Sequence, residues 1–183
     1  MPQLPESQSI LNLSELEKGL PAITPAFGAA LAEAGAICLS EQGHQPGVAL
    51  EVEGSFSDAF VLLWPQVTDQ MRRCWNDQDY TTEQGAYGVA LILIQRLTSF
   101  TVVERSRRGT GFDYWLGNVS DSAELPFEKS ARLEVSGIRR GERRQVRSRV
   151  TLKGGQVQAV DDLSLAYVAV IEFSQPLAWV VEQ

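Results

Sequence analysis

The sequence predicts one α/β domain, a mixed sheet with helices packed against it. Three observations predict it. The stretch 25–43, PAFGAALAEAGAICLSEQG, is alanine-rich and suits a helix. The run 166–173, AYVAVIEF, is continuously apolar and β-rich, the mark of a fully buried strand. From about residue 82 the order of elements is helix, strand, strand, strand, helix, strand, which sets a helix on each side of a mixed sheet. At 183 residues, 44% of them hydrophobic and 21% charged, the chain has the size and composition of one domain. It is long enough to bury a core without disulfides or structural metal.

The elements follow in order. Residues 1–22 read as a loose polar arm with Pro2, Pro5 and Pro21 and one short turn at 14–18. Thr24-Pro25 is an N-cap followed by proline at the first helical position, and the helix ends near Gly43. The alternating stretch 47–54, GVALEVEG, is a strand. FVLLW at 60–64, closed by Pro65, is a second, and the two can form a hairpin. A short helix covers 68–75. A longer one opens at Thr82 in TEQGAYGVALILIQRL, with Glu83 in its first turn. Strands are expected at 101–104, 112–116 and 132–138, with a turn-rich loop at 117–130. The segment from Arg143 to about 160 has the charge and length of a helix, against which Gly154-Gly155 argues. The buried strand at 166–173 and a last one at 177–181 complete the chain. Residues 1–80 are thus an arm, helix and hairpin packed on a core of 81–183.

Composition narrows the chemistry. There is one histidine, His44, in the loop-like EQGHQPG, so zinc sites built on several histidines are excluded and a Ser-His-Asp apparatus has no support. Cys38 and Cys74 form no CxxC pair and read as buried free thiols in a reducing compartment. MPQLPESQS lacks the basic and apolar regions of a secretory signal, and the longest apolar run, 89–94, is too short to span a bilayer. The expectation is a cytoplasmic protein without membrane contact. Hydrolytic chemistry here must rest on carboxylates, lysine and a hard metal ion.

The net charge of −7 is unevenly spread. Residues 1–100 carry 4 basic and 12 acidic side chains, whereas 129–153 carry 9 basic and 2 acidic. The basic group includes Arg139, Arg140, Arg143, Arg144 and Arg147, candidates for contact with DNA or RNA phosphates. A surface that pairs with the acidic first half is an equal alternative.

Two carboxylates fall on predicted strands. Asp113 follows Gly-Thr-Gly in GTGFDYW, and Glu134 lies in RLEVSG, where alternation puts Leu133 and Val135 on one face and Glu134 and Ser136 on the other. A carboxylate on an inner strand is costly unless it is paired, hydrogen-bonded or bound to a cation. Two of them on neighbouring strands can converge on a hard divalent ion. Capping of the glycine turn is the other reading for Asp113. For Glu134 it is pairing with Arg132, Arg147 or Arg149, and for Glu83 a first-turn helix acid.

Helix with an early Glu, strand, strand opening on Asp after a glycine turn, strand with Glu-x-(Lys), helix, strand resembles the PD-(D/E)XK nuclease-like, or restriction endonuclease-like, superfamily. The resemblance covers roughly residues 82–173 and rests on Glu83, Asp113 and Glu134. It implies an αβββαβ core and Mg²⁺ or Mn²⁺ held by Asp113 and Glu134, with Glu83 assisting. One position departs from the pattern: Ser136 stands where it has lysine. Within the superfamily the following helix sometimes supplies that lysine, which here makes Lys153 the first candidate and Arg149 a weaker one. Gln156 and Gln158 lie on the same element. The resemblance implies a metal-dependent nuclease, with a non-catalytic nucleic-acid-binding or protein-interaction module as the alternative. A homodimer is also open.

Overall fold

The computed structural model describes residues 9–118, 128–158 and 165–183. The expected loop at 117–130 therefore lies mostly outside the described residues, as do the start of the arm and the last two residues of the segment 143–160.

One eight-stranded mixed sheet organises the chain, in the order β1-β3-β2-β8-β7-β6-β5-β4. β1 is Ser9–Asn12, β2 Val48–Gly54, β3 Asp58–Leu63, β4 Phe100–Arg105, β5 Tyr114–Asn118, β6 Ala131–Ile138, β7 Leu165–Glu172 and β8 Leu177–Glu182. The helices are α1 (Pro25–Glu41), α2 (Asp69–Cys74), α3 (Gln78–Leu97) and α4 (Arg143–Gln158). β4, β5 and β6 form an antiparallel meander, and α4 then carries the chain across to β7, parallel to β6. β2 and β3 pair antiparallel as a hairpin, and β2 runs parallel to β8. The N-terminal strands therefore extend the same sheet.

The sheet has two different faces. On one, Leu133, Val135, Tyr167, Ala169 and Ile171 join the main core, with Ile37, Ala86, Leu91 and Ile94 from α1 and α3. On the other, Val168 and Val170 pack with Val146, Val150 and Val157 of α4. Alternation along β6 puts Arg132, Glu134 and Ser136 on this second face, as the sequence suggests. Their polar partners are on α4 too: Arg132 donates to the Val157 carbonyl at 3.1 Å and Arg149 to Ser136 Oγ at 2.9 Å.

Three local expectations are corrected. The start of the chain is no loose arm over its described part. β1 pairs in parallel with β3, and Leu11, Leu13, Leu16 and Ile23 are buried, because a short 3-10 helix at Leu13–Lys18 tucks beneath α1. α3 opens four residues before Thr82. Asp77 caps it by accepting from Tyr80 N at 3.0 Å, while the Thr81 and Thr82 hydroxyls bond back to carbonyls four residues earlier, as interior helical threonines do. Glu83 accordingly lies in the second turn. Cys74 is exposed at the end of α2 and only Cys38 is buried. His44 is half-buried, with Nε2 within hydrogen-bond distance of the Phe173 and Ser174 carbonyls.

The segment whose glycines argued against helix is helical. Val146, Val150 and Val157 hold it to the sheet, and Gly154 is buried where the Gln183 side chain closes over it. Tertiary burial outweighs a weak local preference. No described helix is long and apolar enough to cross a membrane.

Candidate active site

The meander brings Asp113 and Glu134 together. Asp113 lies just before β5, at the end of the loop that leaves β4. Its backbone is fixed on both sides: its N–H donates to the Leu133 carbonyl at 2.9 Å, and its carbonyl accepts from Ser106 N at 2.8 Å. Its carboxylate is fixed as well, accepting from Val135 N (Oδ2, 2.8 Å) and from the Tyr87 hydroxyl (Oδ1, 2.8 Å). Asp113 therefore reaches across to β6 and α3 and does not cap the glycine turn.

Glu134 is 5% exposed. Its Oε1 accepts from Lys153 Nζ at 2.6 Å. Its partner is thus a lysine from α4. Burial pushes the Glu134 carboxyl up to about 7, the neighbouring Asp113 charge pushes the same way, and Lys153 opposes both. Tyr87 is raised as well, by burial and by Asp113, so its hydroxyl is a donor throughout the physiological range.

Glu83 is exposed on α3, one turn before Tyr87, and its Oε1 lies 3.4 Å from the Tyr87 hydroxyl. Glu83, Asp113, Glu134 and Gln156 line one cavity of about 520 Å³. Glu83 also lines a second hollow, of about 460 Å³, with Ser136, Arg149 and Lys153. All four expected catalytic residues thus border two hollows that share Glu83. Gln158, at the last position of α4, lines neither.

Lys153 and Arg149 sit four residues apart on α4, over Glu134 and Ser136, which are two residues apart on β6. The positive charge that Ser136 lacks is present at this place, delivered from α4.

Of the expected phosphate-binding arginines, Arg139 lines the second hollow, whereas Arg140, Arg143, Arg144 and Arg147 line neither. Arg139 pairs with Glu41 of α1 and donates to Thr82 Oγ1 at 3.3 Å. Arg140 bonds to Gln42 Oε1 at 3.0 Å, and Arg143 pairs with Glu51 and Glu53 of β2. Arg144 pairs with Glu142 at 3.0 Å, and the Arg147 guanidinium lies 5.3 Å over the Trp179 ring. Arg139 and Arg143 thus follow the alternative of pairing with the acidic first half.

Arg105, Arg107 and Arg108, which the sequence reading did not single out, line the acidic cavity instead. Their signal was local: three arginines within four residues, ahead of the glycine turn that leads to Asp113.

No protein-family model, curated protein or solved structure significantly matches the chain. The functional reading therefore rests on the residues themselves.

The donor set bears directly on the divalent cation that the resemblance implies. Among the described residues, no three His, Cys, Asp or Glu side chains form a ready metal cluster. Two hard oxygen donors, Asp113 and Glu134, do share one cavity. Magnesium is often held by one or two carboxylates, with water and substrate phosphate completing its shell. Glu134, raised by burial and by its acidic neighbour, is a group that such an ion would return to its charged form. In chemical type the donors fit.

Proposed function

We propose that this protein is a metal-dependent hydrolase of nucleic-acid phosphodiesters, built on a PD-(D/E)XK-like core. The observation that carries the reading is the Lys153–Glu134 pair beside Asp113. The helix, meander, crossover helix and parallel strand of α3, β4 to β6, α4 and β7 support it too.

In this reading Asp113 and Glu134 hold Mg²⁺ or Mn²⁺, which supplies Lewis acidity and a more acidic bound water. Tyr87 and the Val135 N–H keep the Asp113 carboxylate aimed into the cavity. Lys153 supplies a fixed positive charge next to Glu134, where negative charge would build on the attacked phosphoryl group. Arg149 adds a second cation one turn away. Glu83 borders both hollows and is available to orient water.

The test is direct. Purified protein is incubated with single-stranded DNA, duplex DNA and RNA in Mg²⁺ or Mn²⁺. The reading expects cleavage of at least one substrate and its loss in Asp113→Asn. No cleavage of any substrate by wild type overturns it.

One observation favours a second reading, a binding module that does not cut. Lys153 already neutralises Glu134, which leaves less charge to attract a cation. Salt-sensitive nucleic-acid binding without cleavage would select this reading.

A further inference from the structure

The β4–β5 loop has the makings of a phosphate grip. Arg105, Arg107 and Arg108 line the same cavity as Asp113 and Glu134. Six other cations take part in close ion pairs with described carboxylates: Arg96, Lys129, Arg139, Arg143, Arg144 and Lys153. Among the described residues, no carboxylate pairs in this way with Arg105, Arg107 or Arg108. Two of the cavity acids are also already engaged, Glu134 with Lys153 and Asp113 with Tyr87 and Val135 N, and the third, Glu83, forms no ion pair with a loop arginine. The loop arginines are therefore not direct counterions of the acids they overlook.

The loop is built to hold those cations in place. Thr110 Oγ1 donates to the Arg107 carbonyl at 2.9 Å and lies 3.2 Å from the Phe112 carbonyl, which also accepts from Ser106 Oγ. Ser106 N donates to the Asp113 carbonyl, tying the loop to the candidate site. Arg105 lies over the rings of Tyr87 and Tyr114, at 5.6 and 5.5 Å, and so forms part of the wall. Arg107 and Arg108 remain exposed. Gly109 takes a φ of 92° and Gly111 one of 81°, and a Cβ at Gly109 would meet nothing within 4 Å. The turn thus leaves open space at Gly109, and Arg107 and Arg108, whose planar donors match phosphate oxygens, line the same cavity.

We propose that Arg107 and Arg108, backed by Arg105, bind the phosphates of a nucleic-acid strand that flank the one lying at Asp113 and Glu134. The inference rests on the function proposed above and locates the strand: it enters over the β4–β5 loop, not along the paired arginines of 139–144.

Binding tests it separately from cleavage. The probes are a labelled single-stranded DNA of about 20 nucleotides, its duplex and the RNA of the same sequence, with polarisation as readout in EDTA and again in Ca²⁺. Arg107→Gln/Arg108→Gln should weaken binding roughly tenfold and reduce the slope of log affinity against log salt by about 1.5, because two phosphate contacts are lost. Arg72→Gln/Arg73→Gln, on α2 and lining no part of the cavity, should stay within about twofold of wild type, since exposed charges away from the contact act only through screened distance. Wild-type affinity and slope in Arg107→Gln/Arg108→Gln would overturn the grip. If that variant also keeps cleaving, the hydrolase reading stands without it. Wild type that binds none of the probes also overturns the grip, whereas the hydrolase reading falls only if wild type cleaves nothing.

Discussion

Lys153 Nζ, on α4, stands 2.6 Å from Glu134 Oε1, on β6. The two residues are 19 apart in sequence, and the crossover that α4 makes between parallel strands brings them together. Lys153→Met should therefore lower the cleavage rate by about 10²-fold, the usual loss when one fixed electrostatic group is removed from a site. The measurement is a single-turnover rate on whichever oligonucleotide wild type cuts. A rate within about threefold of wild type would show that the ammonium is not used.

Ser136 and Glu134 point to the same face of β6, so a lysine at 136 could deliver its charge to the same place. Ser136→Lys in the Lys153→Met background should restore at least about tenfold of the lost rate. Arg149, 2.9 Å from the serine hydroxyl, must move aside for this. No recovery, in a variant whose circular dichroism matches wild type, would mean that the α4 lysine does something a β6 lysine cannot.

The raised Glu134 carboxyl sets a dependence of stability on pH. Its folded value, about 7, exceeds the ordinary 4.5, so between those two pH values the folded state holds a proton that the unfolded state has released. Stability from this group is present below pH 4.5 and is lost as pH rises through 7. Glu134→Gln removes the dependence. In EDTA, the urea midpoint of the variant should gain on wild type between pH 5 and pH 8. A constant difference across that range would show that the carboxyl ionises normally.

Cys38 and Cys74 should react very differently. Burial pushes the Cys38 thiol up to about 12, with nearby Arg139 only partly offsetting it, whereas Cys74 is exposed. A disulfide reagent at pH 8 should label one thiol per native chain, with peptide mapping placing the label on Cys74. The second should label only in denaturant. Rapid labelling of both thiols in the native protein would contradict the packing of α1 on α3.

Gly137 fixes how closely α3 approaches β6. A Cβ there would lie 2.6 Å from the Thr82 carbonyl oxygen and 3.0 Å from the Ala86 Cβ. Gly137→Ala should cost about 1–3 kcal/mol in denaturant unfolding, the typical cost of overpacking. It should also slow cleavage, because α3 carries Glu83 and Tyr87. Unchanged stability would mean that the helix and strand part without penalty.

Much of the site could be read from local pattern. Alternation in RLEVSG put Glu134 on the face opposite Leu133 and Val135, and the structure agrees because β6 is an inner strand whose two faces meet different helices. Lys153 was legible as a candidate from its element. The spacing of Val146, Val150 and Val157, the buried stripe of α4, also puts position 153 in phase with the sheet. The arm at the start of the chain was misread because Leu11, Leu13 and Leu16 are too few and too close to show a period, and their burial depends on β3 and α1. The arginine cluster looked like one surface in sequence. It divides in space because Arg139 and Arg143 face different acidic partners, Glu41 on α1 and Glu51 and Glu53 on β2.

The sequence by itself determined most element types from α1 onward, their order from α3 onward, and that any hydrolytic chemistry would have to rest on carboxylates, lysine and a hard ion. Those features follow from side-chain periodicity and from residue types present or missing, which act over a few positions. Only the tertiary structure decided which cation meets Glu134, that Tyr87 and the Val135 N–H hold Asp113, and that Arg107 and Arg108 overlook the cavity while the 139–144 arginines pair elsewhere. These are contacts between residues far apart in the chain. They are set by how α3 and α4 lie against opposite faces of the sheet, which no local pattern encodes.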